Sequence, residues 1–215
     1  MKLAKGCISW IYASLIPALI LLIISIFLSA PFKSVGFFIS FLLFLLTIFF
    51  IMFFRDPERK IAKGLVACAD GKIREINELE DKEIGKAVNI STFMNVQNVH
   101  VNRMPLDGKI TSIKHISGIH LPAFKKESDK NERVIIIAET KIGRIKIVQI
   151  AGTLARRIVP YIKEADNVKK GERIGIIRLG SRVDVYIPKE KIKKIRIKVG
   201  DKIKAGEESL AEINA

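Results

Sequence analysis

The dipeptide Gly180-Ser181 interrupts a run that otherwise alternates as a β-strand does, in the segment RLGSRVDVYIP at 178–188. A glycine-serine pair inside a strand is usually a β-bulge. The pair can also react with itself, because the serine hydroxyl can attack the preceding carbonyl and a glycine leaves that carbonyl accessible. β-Elimination of the resulting ester leaves an amino-terminal pyruvoyl group, a ketone that serves as an electron sink for amine substrates. The dipeptide alone favours the bulge, so its surroundings in the sequence must decide.

Other familiar chemistries find no support in the sequence. The histidines are His100, His115 and His120, and the cysteines are Cys7 and Cys68. Their spacing matches neither a metal signature nor a disulfide framework, so we expect no metal site. The G-x-S-x-G motif of serine hydrolases and the glycine-rich loops of nucleotide-binding proteins do not occur.

The first quarter of the chain has the composition of a membrane anchor. Every acidic residue lies after residue 54, and only three lysines are charged before it. Two uncharged runs, at about 7–30 and 35–54, each reach the ~20 apolar residues that cross a bilayer. A cleaved signal peptide is a poorer interpretation, because the first run is too long and a second follows at once. Residues 1–54 are therefore predicted to form a two-helix transmembrane hairpin.

The basic residues predict which side of the membrane the rest of the chain faces. Two lysines precede the first span and basic residues at 55–60 follow the second, whereas the connecting loop carries Lys33 alone. Because cytoplasmic flanks are rich in lysine and arginine, both ends are expected in the cytoplasm. Residues 55–215 are then a cytoplasmic domain at the cell membrane. The excess of basic residues in this domain could suit anionic lipid or nucleic acid, and the predicted membrane anchor favours lipid as the partner.

Residues 55–215 have the pattern of a mainly β domain. Asp-Gly pairs at 70–71 and 107–108 stand between apolar runs and predict hairpin turns. ERVIIIAET and GRIKIVQIAG predict two strands joined by a turn around Lys141. NVKKGERIGIIRL and KVGDKIKAGEESL form a near-repeat that is typical of barrel-sandwich domains, in which glycines make tight corners. TFMNVQNVHV is ambiguous between helix and strand, so an α+β arrangement stays open.

Five segments of this chain resemble, in order, those of the phosphatidylserine decarboxylase family, and above all its short archaeal-type branch, the archaetidylserine decarboxylases. They are FFRDPER at 53–59, ADGKI at 69–73, FMNVQNVHVNRMPLDGKI at 93–110, ESDKNER at 127–133 and RLGSRVDVYIP at 178–188. This ordered set spans nearly all of residues 50–190. Such a set is highly specific, and it favours self-cleavage over a simple bulge.

The resemblance implies a proenzyme that cuts itself between Gly180 and Ser181. Residues 1–180 would become the larger β chain, and residues 181–215 the smaller α chain. The first residue of the α chain would be a pyruvoyl group made from Ser181, so no external cofactor is needed.

The resemblance also implies two catalytic partners for the serine. Asp70 of ADGKI matches the aspartate of the family's Asp-His-Ser relay, although the motif alone would make it a turn residue. His100 matches a family histidine, although the motif alone would make it a half-buried strand residue. A neutral imidazole could accept the serine proton and later take part in proton transfer during decarboxylation.

Three arginines are candidates for binding the substrate. Arg103, Arg178 and Arg182 could hold a phosphodiester near Ser181, because a guanidinium matches the geometry of phosphate oxygens. Each could equally be a solvated surface charge. His115 and His120 lie in a stretch less similar to the family, and we interpret them as structural.

The sequence departs from the family pattern at two positions. Longer bacterial members have a second histidine at the place of Arg103. Short members commonly have an aspartate at the place of Asn98, just before the valine and histidine. The acid and base roles are therefore expected to be distributed differently in this chain.

The implied reaction is the loss of CO2 from a serine-headed membrane phospholipid, archaetidylserine or phosphatidylserine, to give the ethanolamine form. Two alternatives from other classes remain. The near-repeat could belong to a membrane-tethered carrier domain, for which Lys202 is the only loose candidate for a modified lysine. The chain could also be a basic lipid-binding protein that has lost processing. The sequence leaves open whether the chain forms a homo-oligomer.

Overall fold

The structure is a computed structural model that describes residues 2–119, 121, 130–152, 157–178 and 181–214. The predicted residues Gly180 and His120 lie outside this described part of the chain. The chain divides into two compact units, Met1–Glu58 and Arg59–Ala215.

The first unit consists of two long helices and a short pair of strands. Its elements are β1 (Lys2–Leu3), α1 (Ile8–Phe27), α2 (Phe32–Phe53) and β2 (Arg55–Asp56), and β1 pairs antiparallel with β2. Both helices are long and apolar enough to cross a membrane. The predicted helical hairpin is present, and Pro17 lies inside α1.

The two helices bury small and polar side chains against each other and expose large apolar ones. The Thr47 hydroxyl donates a hydrogen bond to the Ser14 hydroxyl at 2.8 Å, and the Ser40 hydroxyl donates to the Ala18 carbonyl at 2.8 Å. A Cβ on Gly36 would lie 2.0 Å from Ser25 Oγ, so only glycine fits at this approach. The exposed side chains of the pair are mostly isoleucine, leucine and phenylalanine. This is the reverse of the pattern of a water-soluble helix pair.

The second unit is built from strands. They are β3 (Leu65–Val66), β4 (Gly71–Asp81), β5 (Gly85–Met94), β6 (Val101–Arg103), β7 (Gly108–Ile116), β8 (Arg133–Thr140), β9 (Gly143–Ala151), β10 (Ile158–Pro160), β11 (Asn167–Val168), β12 (Arg173–Ile177), β13 (Ser181–Pro188), β14 (Ile192–Ile195), β15 (Lys202–Ile203) and β16 (Ser209–Ile213), with a 3-10 turn at Lys189–Lys191. An eight-stranded sheet has the order β11-β7-β8-β9-β13-β5-β4-β15, and two three-stranded sheets have the orders β10-β12-β6 and β14-β16-β3. The predicted mainly β fold is confirmed.

The near-repeat in the sequence corresponds to a repeat in the structure. The segment β11–β12 turns at Gly171 (φ 80°), and the segment β15–β16 turns at Gly206 (φ 82°). The two turn glycines make equivalent backbone hydrogen bonds. Gly171 N–H donates to Met104 O, and Gly206 N–H donates to Ala67 O, both at 2.8 Å. The strands β11 and β15 form the two edges of the large sheet. The unit therefore contains two similar halves, which supports the barrel-sandwich-like prediction.

The two predicted Asp-Gly hairpins are wrong. The strands β3 and β4 do not pair with each other, and neither do β6 and β7. A type I′ hairpin turn needs positive φ, which neither Gly71 nor Gly108 adopts. Each aspartate instead accepts a backbone N–H from the other segment of its own half: Asp70 from Ala205 and Asp107 from Lys170, both at 2.7 Å. The Asp-Gly pairs join distant segments of each half.

Other local predictions are confirmed. β8 and β9 form an antiparallel hairpin in which Thr140 lies opposite Gly143, so the turn includes Lys141. The ambiguous segment TFMNVQNVHV completes β5 at Met94, turns, and then enters β6 at Val101. No part of that segment is helical.

Candidate active site

Ser181 is the first residue of a central strand. β13 pairs with β5 on one side and β9 on the other, and Ser181 lies opposite Met94 and Ala151. The alternation of the strand points Ser181 into the same interior as Val183, where both residues are fully buried. The Ser181 hydroxyl donates a hydrogen bond to the Met94 sulfur at 3.1 Å. The segment that begins at Ser181 is therefore a regular strand whose first residue is buried.

His100 lies just before β6 and is fully buried. Its Nδ1 is 2.9 Å from the Asn98 carbonyl oxygen. A carbonyl only accepts hydrogen bonds, so Nδ1 carries the proton and, in the neutral ring, Nε2 carries the lone pair. The Asn98 side chain accepts the Asn95 N–H at 2.9 Å and closes the turn. The substitution of asparagine for the family aspartate therefore leaves a backbone carbonyl in place to orient the imidazole.

His100 directly precedes β6, a short strand that pairs with β12. The His100 carbonyl accepts the Ile177 N–H at 3.2 Å, which extends the pairing of β6 with β12 towards the segment that leads into β13. Asn102, two residues after His100, donates from Nδ2 to the Met94 sulfur at 3.8 Å. Side chains two residues apart in an extended chain lie on one face, about 6–7 Å apart. Asn102 and Ser181 therefore contact the same methionine, and His100 lies two residues before Asn102 in the chain.

Asp70 is 5% exposed and connects three segments. Its Oδ1 accepts the Ala205 N–H at 2.7 Å, and its Oδ2 accepts from Arg59 Nη2 at 2.9 Å. The backbone amide of Val99, adjacent to His100, lowers the pKa of this carboxylate. Arg59 in turn contacts Glu207 through Nη1 at 3.2 Å. The carboxylate thus joins the Arg59 side chain to the backbone at Ala205.

Burial determines the electrostatics of the acidic and thiol groups here. Loss of hydration raises the pKa of Asp70, although the Ala205 amide and the Arg59 guanidinium oppose that rise. A carboxylate with a raised pKa is a stronger proton acceptor than an ordinary aspartate. Burial also raises the pKa of Cys68 to about 12, so its thiol is not a nucleophile at neutral pH.

The three arginines predicted to bind substrate have different environments. Arg103 is 4% exposed, and its Nη1 donates to the Gly171 carbonyl at 2.9 Å. Arg182 donates to Asp184 at 2.9 Å and lies with it on the face of β13 opposite to Ser181, beside a small polar cavity of about 260 Å³. Arg178 is half-buried and lies one residue after the end of β12. A role in substrate binding stays a prediction for all three, and the alternation of β13 directs Arg182 away from the serine.

His115 has the structural environment that the sequence analysis expected. It is exposed on β7, and its Nε2 lies 2.9 Å from Glu132 Oε1. Lys202, the loose candidate for a modified lysine, is exposed at the start of the two-residue strand β15.

Sequence reasoning missed four residues that shape the site. Arg59 was counted only as a basic residue flanking the membrane span, although it is the ion-pair partner of Asp70. Met94, Asn102 and Gln149 line the interior beside Ser181, and Gln149 Nε2 donates to Asn102 Oδ1 at 2.7 Å. The one available signal was rarity, since Gln149 is one of two glutamines in the chain.

Known proteins similar to this chain are decarboxylases made as proenzymes. The family model for phosphatidylserine decarboxylase matches residues 46–211. The chain therefore belongs to the phosphatidylserine decarboxylase family, as its motifs predicted.

The relatives come from both bacteria and archaea. A phosphatidylserine decarboxylase proenzyme of Streptomyces avermitilis is 47% identical over 157 residues, which cover 73% of this chain and 70% of that protein. A protein of Methanosarcina barkeri, provisionally named archaetidylserine decarboxylase proenzyme, is 40% identical over 215 residues and 98% of each chain. A Methanococcoides burtonii protein with the same provisional name is 39% identical over 216 residues, covering 98% of this chain and 96% of its own. The similarity to the archaeal proteins thus includes the apolar helices.

Proposed function

We propose that this chain is a membrane-anchored, pyruvoyl-dependent decarboxylase that acts on archaetidylserine or phosphatidylserine after cutting itself between Gly180 and Ser181. The observation that carries the proposal is the position of Ser181 in a member of this decarboxylase family. Its hydroxyl is fully buried at the first residue of a central strand. The fold does not need a serine at this position, because among the described residues its hydroxyl contacts only a weak acceptor, the Met94 thioether.

The surroundings of Ser181 fit a pyruvoyl group at the same position. A pyruvoyl group there would supply the electron sink for the loss of CO2 from an amine substrate. Met94 and Ala151 flank the position, and the site excludes water. A small uncharged ketone needs no counter-ion in such a site, whereas a charged group would. The neighbouring strands β5 and β9 hold the residue from both sides.

His100 and Asp70 are the proposed groups for moving protons. The Asn98 carbonyl holds the imidazole with its lone pair on Nε2, which is the atom that can accept a proton from the Ser181 hydroxyl. The proposed role of Asp70 is to orient the histidine through the adjacent Val99 amide, which lowers the pKa of the carboxylate. Arg178 is the proposed contact for the substrate phosphodiester. It lies near the serine in the chain and, unlike Arg182, is not placed by β13 on the face opposite to Ser181.

The fold would keep the two products of self-cleavage together. β13 is paired with Ala87–Met94 along its full eight residues and with Lys146–Ala151 along six. β15 and β16 of the same fragment pair with β4 and β3. Residues 181–215 therefore contribute strands to the large sheet and to one small sheet. A cut before Ser181 removes one covalent bond and none of these strand pairs.

The burial pattern of α1 and α2 supports a membrane anchor. Lipid tails are as apolar as leucine, so helices in a bilayer associate through close packing of small residues and hydrogen bonds between them. The contacts of Ser14 with Thr47 and of Ser25 with Gly36 are of this kind. We propose that the hairpin holds the catalytic unit on the cytoplasmic face, where a two-tailed lipid substrate can reach it.

Intact-mass analysis of the purified protein beside its Ser181→Ala variant tests the proposal. The wild type is expected to yield a fragment of residues 181–215 whose amino terminus is blocked to Edman degradation, and the variant is expected to stay whole. Turnover of a serine-headed phospholipid in detergent micelles should follow the cut. A wild-type chain that stays whole would refute self-processing and would support the alternative of a lipid-binding protein without catalysis.

A further inference from the structure

Two amide side chains lie inside the core beside Ser181, where an apolar pair would pack without polar atoms to satisfy. Asn102 on β6 and Gln149 on β9 are both 0% exposed. Gln149 Nε2 donates to Asn102 Oδ1 at 2.7 Å, while Gln149 Oε1 has no hydrogen-bond partner among the described residues. A buried polar atom without a partner destabilises the folded state. This cost calls for a role that packing does not supply.

The contact with Gln149 fixes the direction of the Asn102 amide. Because Oδ1 accepts from Gln149, the Nδ2 donor points the other way, to the Met94 sulfur at 3.8 Å. The Ser181 hydroxyl donates to the same sulfur at 3.1 Å. Two donors thus converge on one thioether, which is a weak acceptor. Asn102 Nδ2 and the Ser181 hydroxyl thus share one acceptor, and in the uncut chain the strong amide donor has only this weak acceptor among the described residues.

A Cβ on Gly175 would lie 3.2 Å from Gln149 Nε2 and 2.8 Å from the Val159 carbonyl oxygen. Glycine at this position therefore allows the β12 backbone to approach the Gln149 amide closely. The packing of the amide pair is as specific as that of the apolar core around it.

Self-cleavage creates the acceptor that the Asn102 amide lacks. In the first step Ser181 Oγ bonds to the Gly180 carbonyl carbon, the Gly180–Ser181 C–N bond breaks, and the hydroxyl proton ends on the released amine. In the second step a base removes the Ser181 Cα proton, a Cα–Cβ double bond forms, and the Oγ–Cβ bond breaks. Its electron pair stays on Oγ, which leaves as part of the Gly180 carboxylate. Negative charge thus develops on the former serine oxygen during the second step.

We propose that Asn102 is a catalytic residue of this elimination, in which Nδ2 donates a hydrogen bond to the Ser181 oxygen as it becomes a carboxylate oxygen. Gln149 is the positioning residue that holds the Asn102 amide in the required direction. The inference rests on the proposed self-cleavage. A preorganised donor aimed at a developing negative charge accelerates such a step, and the loss of one donor typically costs about 10²–10³-fold in rate.

The test separates the two steps by trapping the ester. Asn102→Ala is compared with Asn89→Ala, which also removes a buried amide, but from the opposite face of β5. Each native protein is incubated with and without neutral hydroxylamine and then denatured in acid, which preserves the ester. Intact mass and Edman degradation identify the fragments, and thermal unfolding checks the fold.

We expect Asn102→Ala to cut itself about 10²-fold more slowly than the wild type. Hydroxylamine should restore its cleavage, and residues 181–215 should then begin with an ordinary serine that Edman degradation reads. Gln149→Met should show the same pattern with a smaller loss, and Asn89→Ala should behave as the wild type. A merely structural defect would give a chain that hydroxylamine does not cut.

Three results would overturn the inference in distinguishable ways. If Asn102→Ala cuts itself at the wild-type rate while Ser181→Ala stays whole, Asn102 has no catalytic role and the proposed function stands. If Asn102→Ala and Gln149→Met are uncut and inert to hydroxylamine while their thermal unfolding matches that of the wild type, the amides act before the ester forms. If the wild type itself stays whole, self-cleavage and the role of Asn102 fail together.

Discussion

Replacement of Asp70 by asparagine offers a test of the candidate relay, because the fold supplies its own control. Asp70 and Asp107 occupy equivalent places in the two halves of the unit. Each accepts a backbone N–H at 2.7 Å, from Ala205 and Lys170 respectively. Asp107 is exposed, whereas Asp70 is buried and paired with Arg59. Asp107→Asn therefore makes the same change from carboxylate to amide at an equivalent backbone hydrogen bond, without touching the site.

The cost of Asp70→Asn to stability follows from two opposing effects. Removal of one partner of a buried ion pair typically costs about 3–5 kcal/mol, because the other charge stays buried. Here Glu207 remains 3.2 Å from Arg59 and compensates part of that charge. Burial also raises the pKa of Asp70, so the folded protein already disfavours its ionised form. We expect a loss of about 1–2 kcal/mol in the free energy of unfolding, against about 0.5–1 kcal/mol for Asp107→Asn.

The effect on self-cleavage should be far larger than the effect on stability. If Asp70 positions His100 through Val99 and supports the proton transfer, Asp70→Asn should slow cleavage by about 10²–10⁴-fold. Cleavage is measured as the fraction of intact chain over time by mass spectrometry, and stability by urea unfolding of each variant in an uncut Ser181→Ala background. Asp107→Asn should cut itself within about threefold of the wild-type rate. Equal rates in the two variants would show that Asp70 is only a structural acceptor, as Asp107 is.

Two further predictions concern pH and the outer face of β13. Burial raises the pKa of Asp70, so the contribution of this group to stability is present below the ordinary aspartate pKa and is lost as pH rises through the raised value. The melting temperature of Asp70→Asn relative to that of the wild type should therefore increase over that pH range. A constant difference in melting temperature would contradict a raised pKa for Asp70. Arg182 and Asp184 form a pair whose side chains are 7% and 3% exposed. Either single replacement, Arg182→Met or Asp184→Leu, should cost about 3–5 kcal/mol in urea unfolding, and the double replacement should cost less than either; additive losses would show that the two do not act as a pair.

The sequence predicted the class of fold more reliably than it predicted the connections between segments. The alternation of RVDVYIP around Ser181 and the rhythm of the near-repeat both depend on local geometry, which the chain expresses residue by residue. The Asp-Gly pairs at 70–71 and 107–108 have the local signature of a hairpin turn. Their carboxylates bond to Ala205 and Lys170, which are 135 and 63 residues away in the chain. No local pattern contains those partners, so the hairpin prediction failed for a physical reason.

The same limit explains which site residues were missed. Asp70, His100 and Ser181 belong to motifs that can be quoted from the sequence. Asn102 and Gln149 become a pair only when β6 and β9 meet, and neither has a distinctive motif of its own. Arg182 shows the converse, since its position next to Ser181 in the sequence suggested proximity. Because adjacent residues in a strand point to opposite faces, the side chains of Ser181 and Arg182 lie on different sides of the sheet.

The two halves of the fold separate structural support from chemistry. In the half that contains Asp107, the aspartate precedes β7 and accepts the Lys170 N–H. It thereby joins the start of β7 to the turn at Gly171, at the protein surface. In the half that contains Asp70, the same bond to the chain is kept, and burial and Arg59 are added. The added features change the proton affinity of the carboxylate while the shared bond holds its position. A site built on a structural contact that the fold already uses twice needs only a few further residues to become reactive. This is why the comparison of Asp70 with Asp107 can distinguish a catalytic carboxylate from a structural one within a single chain.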